Sequence, residues 1–275
     1  MGVDVRYRVL RPPYFSLGAG LVVALVLMVS SVGVVLVVSL VALAVPARAA
    51  GPPISPGAPM TAQAYSAPPE GKPTAPVSAD LVAHPARPGR VVALTFDDGP
   101  NPVYTPQVVA LLARYHVVAT FCMIGSEAAR HPEIVRDVVA AGMRLCDHTV
   151  SHDEQLSRRP ESRIDAEIVG CRTDLRTAAG SDVPVGYFRA PAGRWSGPMR
   201  QIAARNGMKP LSWSLDPRDW SRPGTGRIVA AVQQRVQPGA VVLLHDGGGR
   251  RDQTVAALAQ LLPWFIAQGY QFVAP

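Results

Sequence analysis

Five short stretches of the chain hold side chains that could do chemistry together. Asp97 and Asp98 stand side by side in Thr95-Phe96-Asp97-Asp98-Gly99-Pro100, and His148 and His152 lie four apart in His148-Thr149-Val150-Ser151-His152. Arg189 opens Arg189-Ala190-Pro191-Ala192-Gly193, Asp219 sits in Asp216-Pro217-Arg218-Asp219-Trp220, and His245 closes Leu243-Leu244-His245-Asp246. Two histidines at i, i+4 on one helical turn present their imidazoles on the same face, within reach of one cation. Adjacent carboxylates could divide between ligand and base. Each stretch also has an ordinary reading: a turn after a strand for Asp97-Asp98-Gly99, solvated or capping histidines, a surface arginine, a plain strand end at His245-Asp246. His84, His116 and His131 have no comparable setting and read as solvated. Gly247 to Gly249 lacks the Lys-Ser/Thr of a phosphate-cradling loop and reads as a flexible turn.

The elements that must position these residues follow a repeat. Short apolar runs over 91–96, 119–124, 144–147, 186–189, 210–215, 240–245 and 271–273 read as strands. Between them 105–115, 132–141, 161–177, 199–206, 225–236 and 254–268 have helical spacing, with Gly142, Gly207 and Gly269 where helix C-caps would fall. The alternation is βα repeated, which suits a distorted (β/α) barrel of about seven strands or an open doubly wound sheet. In both, chemistry gathers at the carboxyl ends of the strands, and all five stretches lie at those ends. One rim would collect them.

Five motifs in this order at these strand ends resemble the NodB-like polysaccharide deacetylases, carbohydrate esterase family four, over about 91–275. The resemblance implies a distorted (β/α) barrel that uses a divalent metal, zinc first and otherwise Co2+, Mn2+ or Ni2+, to hydrolyse acetyl groups on polysaccharides. Carried over residue by residue, Asp98, His148 and His152 would hold the metal, leaving the coordination open for water and a substrate carbonyl. Asp97 would be the general base, kept ionised by Arg189. His245, oriented by Asp219, would be the acid that protonates the leaving amine. The backbone N–H of Ala192 would stabilise the oxyanion, and Trp220 and Leu243 would receive the acetyl methyl.

The chain departs from the family pattern in two places. Ala190 and Ala192 stand where a second proline and an aromatic are usual, which puts substrate preference in doubt; Trp195 could supply the missing sugar stacking. Asp147 replaces a frequent asparagine and would support the metal ligands at most. Cys122 and Cys146, near the ends of neighbouring strands, could form a bridge in an oxidising exterior, and Cys171 reads as a small buried residue.

Between Arg11 and Arg48 no residue is charged. At 1.5 Å per residue a helix over 14–45 exceeds the roughly 30 Å of bilayer hydrocarbon. With Arg6, Arg8 and Arg11 before it, the expected organisation is a cytoplasmic segment 1–13, a transmembrane signal-anchor 14–45, a Pro/Ala-rich linker 46–88 and an extracytoplasmic catalytic domain 89–275. Ala47-Arg48-Ala49 resembles a cleavage site, so a form secreted after cleavage near Ala49 is the alternative. The net charge of +7 is almost all arginine, with Lys72 and Lys209 the two lysines, and has no basic run of a nucleic-acid footprint. The expected partners are therefore a polysaccharide substrate and the membrane, with no nucleic acid and no obligate protein. Peptidoglycan is the favoured substrate; chitooligosaccharide and acetylxylan need the same groups. Two rival classes follow from the same residues. A ferrous oxygenase shares the two-histidine, one-carboxylate set but has no use for Asp97 and Asp219. A catalytically silent wall-binding module would have had no reason to keep Asp97 and His245.

Overall fold

A computed structural model describes residues 77–275 and, before them, the backbone of two strands, β1 (Val26–Ser30) and β2 (Gly33–Val37), paired antiparallel. Both fall inside the stretch expected to be a membrane-spanning helix. β-branched residues in general are crowded against the preceding turn of a helix and favour a pleated strand, so an apolar run rich in valine supports either state. The rest of that expected helix and the segment before it lie outside the described residues. Among the described residues no helix is long and apolar enough to cross a membrane. Of the expected linker, the part before residue 77 also lies outside them. Val82, within it, bridges Leu211 and exchanges main-chain hydrogen bonds with Pro210 and Ser212.

The remaining strands are all parallel: β3 (Val91–Asp97), β4 (Thr120–Met123), β5 (Arg144–Asp147), β6 (Val185–Phe188), β7 (Lys209–Pro210), β8 (Ala240–His245) and β9 (Gln271–Phe272). They form one sheet of seven in the order β7-β6-β5-β4-β3-β8, with β9 also on β3. Leu215, beyond β7, bridges Val242 of β8, so the sheet curls back towards its own far edge. The helices are α1 (Thr105–Arg114), α2 (Gly125–Arg130), α3 (Pro132–Ala140), α4 (Glu161–Ala179), α5 (Gly197–Arg205), α6 (Thr225–Arg235) and α7 (Asp252–Ala267).

Alternation along the strands divides two cores. Val92, Leu94 and Phe96 of β3, Phe121 and Met123 of β4 and Val242 and Leu244 of β8 face the helices in the large cluster. The opposite face carries a small cluster inside the curl: Ala93, Cys122, Cys146, Tyr187, Leu211 and Val241. Cys122 and Cys146, register partners on β4 and β5, are bridged as a disulfide, and Cys171 is buried and free. Moving towards the carboxyl ends, the inner face turns polar, with Thr95 and Asp97 on β3 and His245 on β8. Gly142, Gly207 and Gly269 follow their helices with φ of 78°, 77° and 74°, the left-handed conformation that ends a helix most cheaply with glycine.

Two further expected elements take another form, and the short helix α2 is not among those expected. The strand expected over 210–215 is reduced to Lys209–Pro210, because Pro210 offers no N–H and the next carbonyls, of Leu211 and Ser212, accept from Arg189 (3.1 Å each). The His148–His152 segment is not a helical turn. Thr149 and His152 have φ of 69° and 55°, and Thr149 N–H donates to Asp147 Oδ1 (2.9 Å) while His152 N–H donates to Thr149 Oγ1 (3.0 Å). These local side-chain bonds compete with helix formation and win.

Candidate active site

At the carboxyl ends of β3, β5, β6 and β8 the loop just described still brings the two imidazoles together, their ring centroids 4.9 Å apart. Asp98, itself at φ 71°, places Oδ1 3.5 Å from His148 Nε2 and 3.3 Å from His152 Nε2. The ligand-type atoms of Asp98, His148 and His152 all lie within 4.8 Å of one another, a set that could hold a metal ion. Two observations favour a cation there. Asp98 Oδ1 is buried with no hydrogen-bond partner. His148 Nδ1 donates to the Arg189 carbonyl (2.8 Å), which fixes the tautomer and leaves the Nε2 lone pair for a ligand. Burial works against the charge on Asp98, but the surrounding His148, His245 and His152 outweigh it and hold its carboxyl well below the usual range. Burial likewise opposes a charged His148, and Asp97 and Asp98 overcome it and raise its pKa. His152, half-buried, is pushed down by burial and by His148. Two imidazole nitrogens and one carboxylate oxygen with room beyond them are the donor set of an open divalent site.

Two ion pairs flank this trio. Arg189, fully buried, donates Nη1 to Asp97 Oδ1 (2.6 Å) and to Thr95 Oγ1 (2.9 Å), while Asp97 Oδ2 lies 3.6 Å from His148 Nε2. His245 Nδ1 donates to Asp219 Oδ1 (2.8 Å), and the His245 main-chain N–H donates to Asp219 Oδ2 (2.9 Å). Burial disfavours the imidazolium, but the bond and charge of Asp219 dominate and raise His245 to about 9. The structure therefore brings together Asp97, Asp98, His148, His152, Arg189, Asp219 and His245.

The three expected substrate contacts are placed differently. Ala192 is exposed at φ 51° in the short 3-10 turn Pro191–Gly193. Leu243 is buried on the same face of β8 as His245. Trp220 is 44% exposed with the Arg218 guanidinium 4.8 Å over its ring, an open surface and not the wall of a closed pocket. Trp195 packs edge-on against Phe188 in the outer core, so it is not the free stacking platform expected. Trp213 occupies a place nearer the chemistry: it lies 5.7 Å from the Arg189 guanidinium, and its ring leaves no room for a Cβ on Gly193.

Further residues complete the site. Asp246 is fully buried, accepts a hydrogen bond from Thr105 Oγ1, and is raised by burial to about 7. Asp147, also fully buried and raised by burial to about 7, shapes the histidine loop through Thr149. Gly247 and Gly248 are not a loose turn: a Cβ on either would overlap Asp98, at its main chain for Gly247 and at its carboxylate for Gly248. Their glycine identity is required by close approach.

A buried carboxylate paired with arginine, a trio that could hold a cation and an imidazole with a raised pKa around one rim fit hydrolysis of the acyl-transfer type. The polysaccharide deacetylase family model matches residues 84–211. A chitooligosaccharide deacetylase of Bradyrhizobium sp. (strain ANU 289) is 40% identical over 193 residues, covering 66% of this chain and 87% of that relative. A peptidoglycan-N-acetylglucosamine deacetylase of Bacillus cereus is 39% identical over 186 residues, covering 67% and 85%. A family 4 carbohydrate esterase from Streptomyces lividans, solved in complex with acetate, superimposes with a TM-score of 0.61 at 29% identity, covering 67% of this chain and 97% of that one. The chain belongs to the polysaccharide deacetylase family, the NodB-like carbohydrate esterases of family four, and is a hydrolytic deacetylase.

Proposed function

We propose that the protein is a divalent-metal-dependent N-deacetylase of N-acetylglucosamine units in an extracellular polysaccharide, with peptidoglycan as its first substrate. The observation that carries this reading is the Asp98, His148 and His152 cluster set between the Arg189–Asp97 and Asp219–His245 pairs. When bound, a cation such as zinc supplies polarisation of the acetyl carbonyl and a lowered water pKa, toward about 7. The chain does the rest. Asp97 is oriented by Arg189 through Oδ1, which leaves Oδ2 facing the trio to take a proton from the attacking water. The exposed turn at Ala192 offers its N–H to the developing oxyanion. His245 is protonated at neutral pH and gives its Nε2 proton to the amine nitrogen, which is too basic to leave as an anion.

The substrate reading draws on relatives named for chitooligosaccharide and for peptidoglycan, which share the N-acetylglucosamine unit. A location outside the cytoplasm accords with the Cys122–Cys146 disulfide and with the uncharged stretch after Arg11. The test is acetate release from peptidoglycan, chitin oligomers and acetylxylan, with metal analysis of the same sample. Activity abolished by a chelator, restored by zinc and lost in His148→Ala supports the reading. Release that survives the chelator, or is confined to acetylxylan, overturns it.

A further inference from the structure

The first turn of α7 belongs to none of the five motifs, yet it reaches the acid side of the site. Thr254 is buried and its Oγ1 lies 2.8 Å from Asp219 Oδ2. Asp219 has three donors in all: the His245 ring on one oxygen, and the His245 main chain and Thr254 on the other. At this depth a missing donor is not replaced by bulk water, and a hydroxyl on a carboxylate is a charge-assisted bond. The turn is itself held in place. Gln253 Oε1 accepts from Gly224 N–H (2.7 Å), and Arg251, 5% exposed, donates to the carbonyls of Gly247 (2.6 Å), Gly248 (3.0 Å) and Trp220 (3.4 Å). One helix end therefore grips the segment after Asp219 and the loop after His245.

We propose that Thr254 is a positioning residue for the acid step: its hydroxyl fixes the Asp219 carboxylate, which aims the His245 imidazole at the departing amine. The inference rests on the N-deacetylase reading. In that step the C–N bond of the tetrahedral adduct breaks with its electron pair on nitrogen, and nitrogen takes the proton of His245 Nε2, leaving acetate and a free amine. An aryl acetate needs no such help, because a phenolate leaves with the electron pair unprotonated.

That contrast supplies the test. Thr254→Val and Thr254→Ser are assayed as metal-loaded, full-length enzyme on an N-acetylglucosamine oligomer and on 4-nitrophenyl acetate. The expected result is a kcat on the oligomer lowered about 30-fold in Thr254→Val at unchanged KM, within the range of acid catalysis. Aryl acetate hydrolysis stays within about twofold, and Thr254→Ser recovers oligomer turnover to within about threefold. In the metal-free protein the NMR signal of the His245 Nδ1 proton shifts in Thr254→Val and stays put in Thr254→Ser. Thr254→Ala makes the same comparison should valine prevent folding. Equal losses on both substrates, or full oligomer turnover in Thr254→Val, overturn the proposal. A wild-type enzyme that hydrolyses the aryl ester but releases no acetate from any N-acetylated glycan overturns the N-deacetylase reading, and this inference with it.

Discussion

The two ion pairs that flank the candidate metal site contain the same ingredients in opposite order. On one side a permanent cation, Arg189, holds a carboxylate, Asp97, that faces the reaction; on the other a carboxylate, Asp219, holds an imidazole, His245. Arginine does not give up its proton, so in its pair only the carboxylate is free to exchange one. Histidine can, so its pair stores an acid, raised to about 9. In the proposed mechanism the identity of the buried cation thus decides which pair accepts a proton and which donates one, over a rim that the same sheet holds.

Breaking the arginine side should have the largest effect. Arg189 supports Asp97 through its guanidinium and His148 through its carbonyl, and it touches Leu211 and Ser212 as well. Arg189→Met leaves Asp97 buried without its counter-charge, which costs about 3–5 kcal/mol in urea unfolding. Deacetylation should fall about 10⁴-fold as Asp97 loses the partner that orients it. Arg189→Lys should rescue only part, since a point charge cannot serve Asp97, Thr95 and two carbonyls at once.

On the histidine side, His245→Gln removes the acid without removing the fold. A loss of about 10³-fold on the amide is expected, with aryl acetate hydrolysis falling far less. Equal losses on the two substrates would assign His245 a role other than leaving-group protonation.

Asp219→Asn is milder and tests the origin of the acid. Without the carboxylate, burial of His245 is opposed only by the charges of Asp97 and Asp98, and its titration in the metal-free protein should drop below about 9, read by NMR. The protonated fraction at pH 7.5 then falls, and turnover with it. The sign for stability follows from the same shift. Because the folded pKa is raised above 6.5, the pair's contribution is present in full below that pH and is lost as pH rises through about 9. The wild-type melting temperature should decline over that interval, and that of Asp219→Asn should not.

What the chain discloses before folding divides along the same line. Residues whose roles depend on type and order, Asp97 through His245 at successive strand ends, stand out because apolar runs mark the strands and polar groups mark where they stop. Helix limits are legible to within two residues where an apolar stripe is bounded by a proline or a glycine, as for α1, α3 and α6. Gly125–Arg130 escapes because six residues are too short for a periodic stripe. The histidine loop misleads because spacing of four fits a helix, whereas Asp147 and Thr149 bend the backbone through bonds that no periodicity records. Asp246, Thr254, the reach of Arg251 to Trp220 and the close fit of Gly247 on Asp98 depend on partners 31 or more residues away. Their residue types are ordinary for turns and helix starts, so only the fold reveals them.

Beneath both pairs lies the small apolar layer that contains the disulfide, and it predicts the smallest change in chemistry. Cys122 and Cys146 join β4 to β5 across a separation of 24 residues, Cys146 standing two residues before His148. A cross-link of that span stabilises mainly by restricting the unfolded chain, about 3 kcal/mol. The folded neighbours Ala93, Tyr187, Leu211 and Val241 keep both strands in place without it. The double variant Cys122→Ala, Cys146→Ala should therefore lose roughly 3 kcal/mol in urea unfolding. Its kcat on the oligomer, measured well below the melting point, should stay within about twofold, as expected when stability is lost through the unfolded state. A large fall in kcat with the fold intact would mean that the bridge sets the height of His148 relative to Asp98, and the layer would then belong to the site it supports.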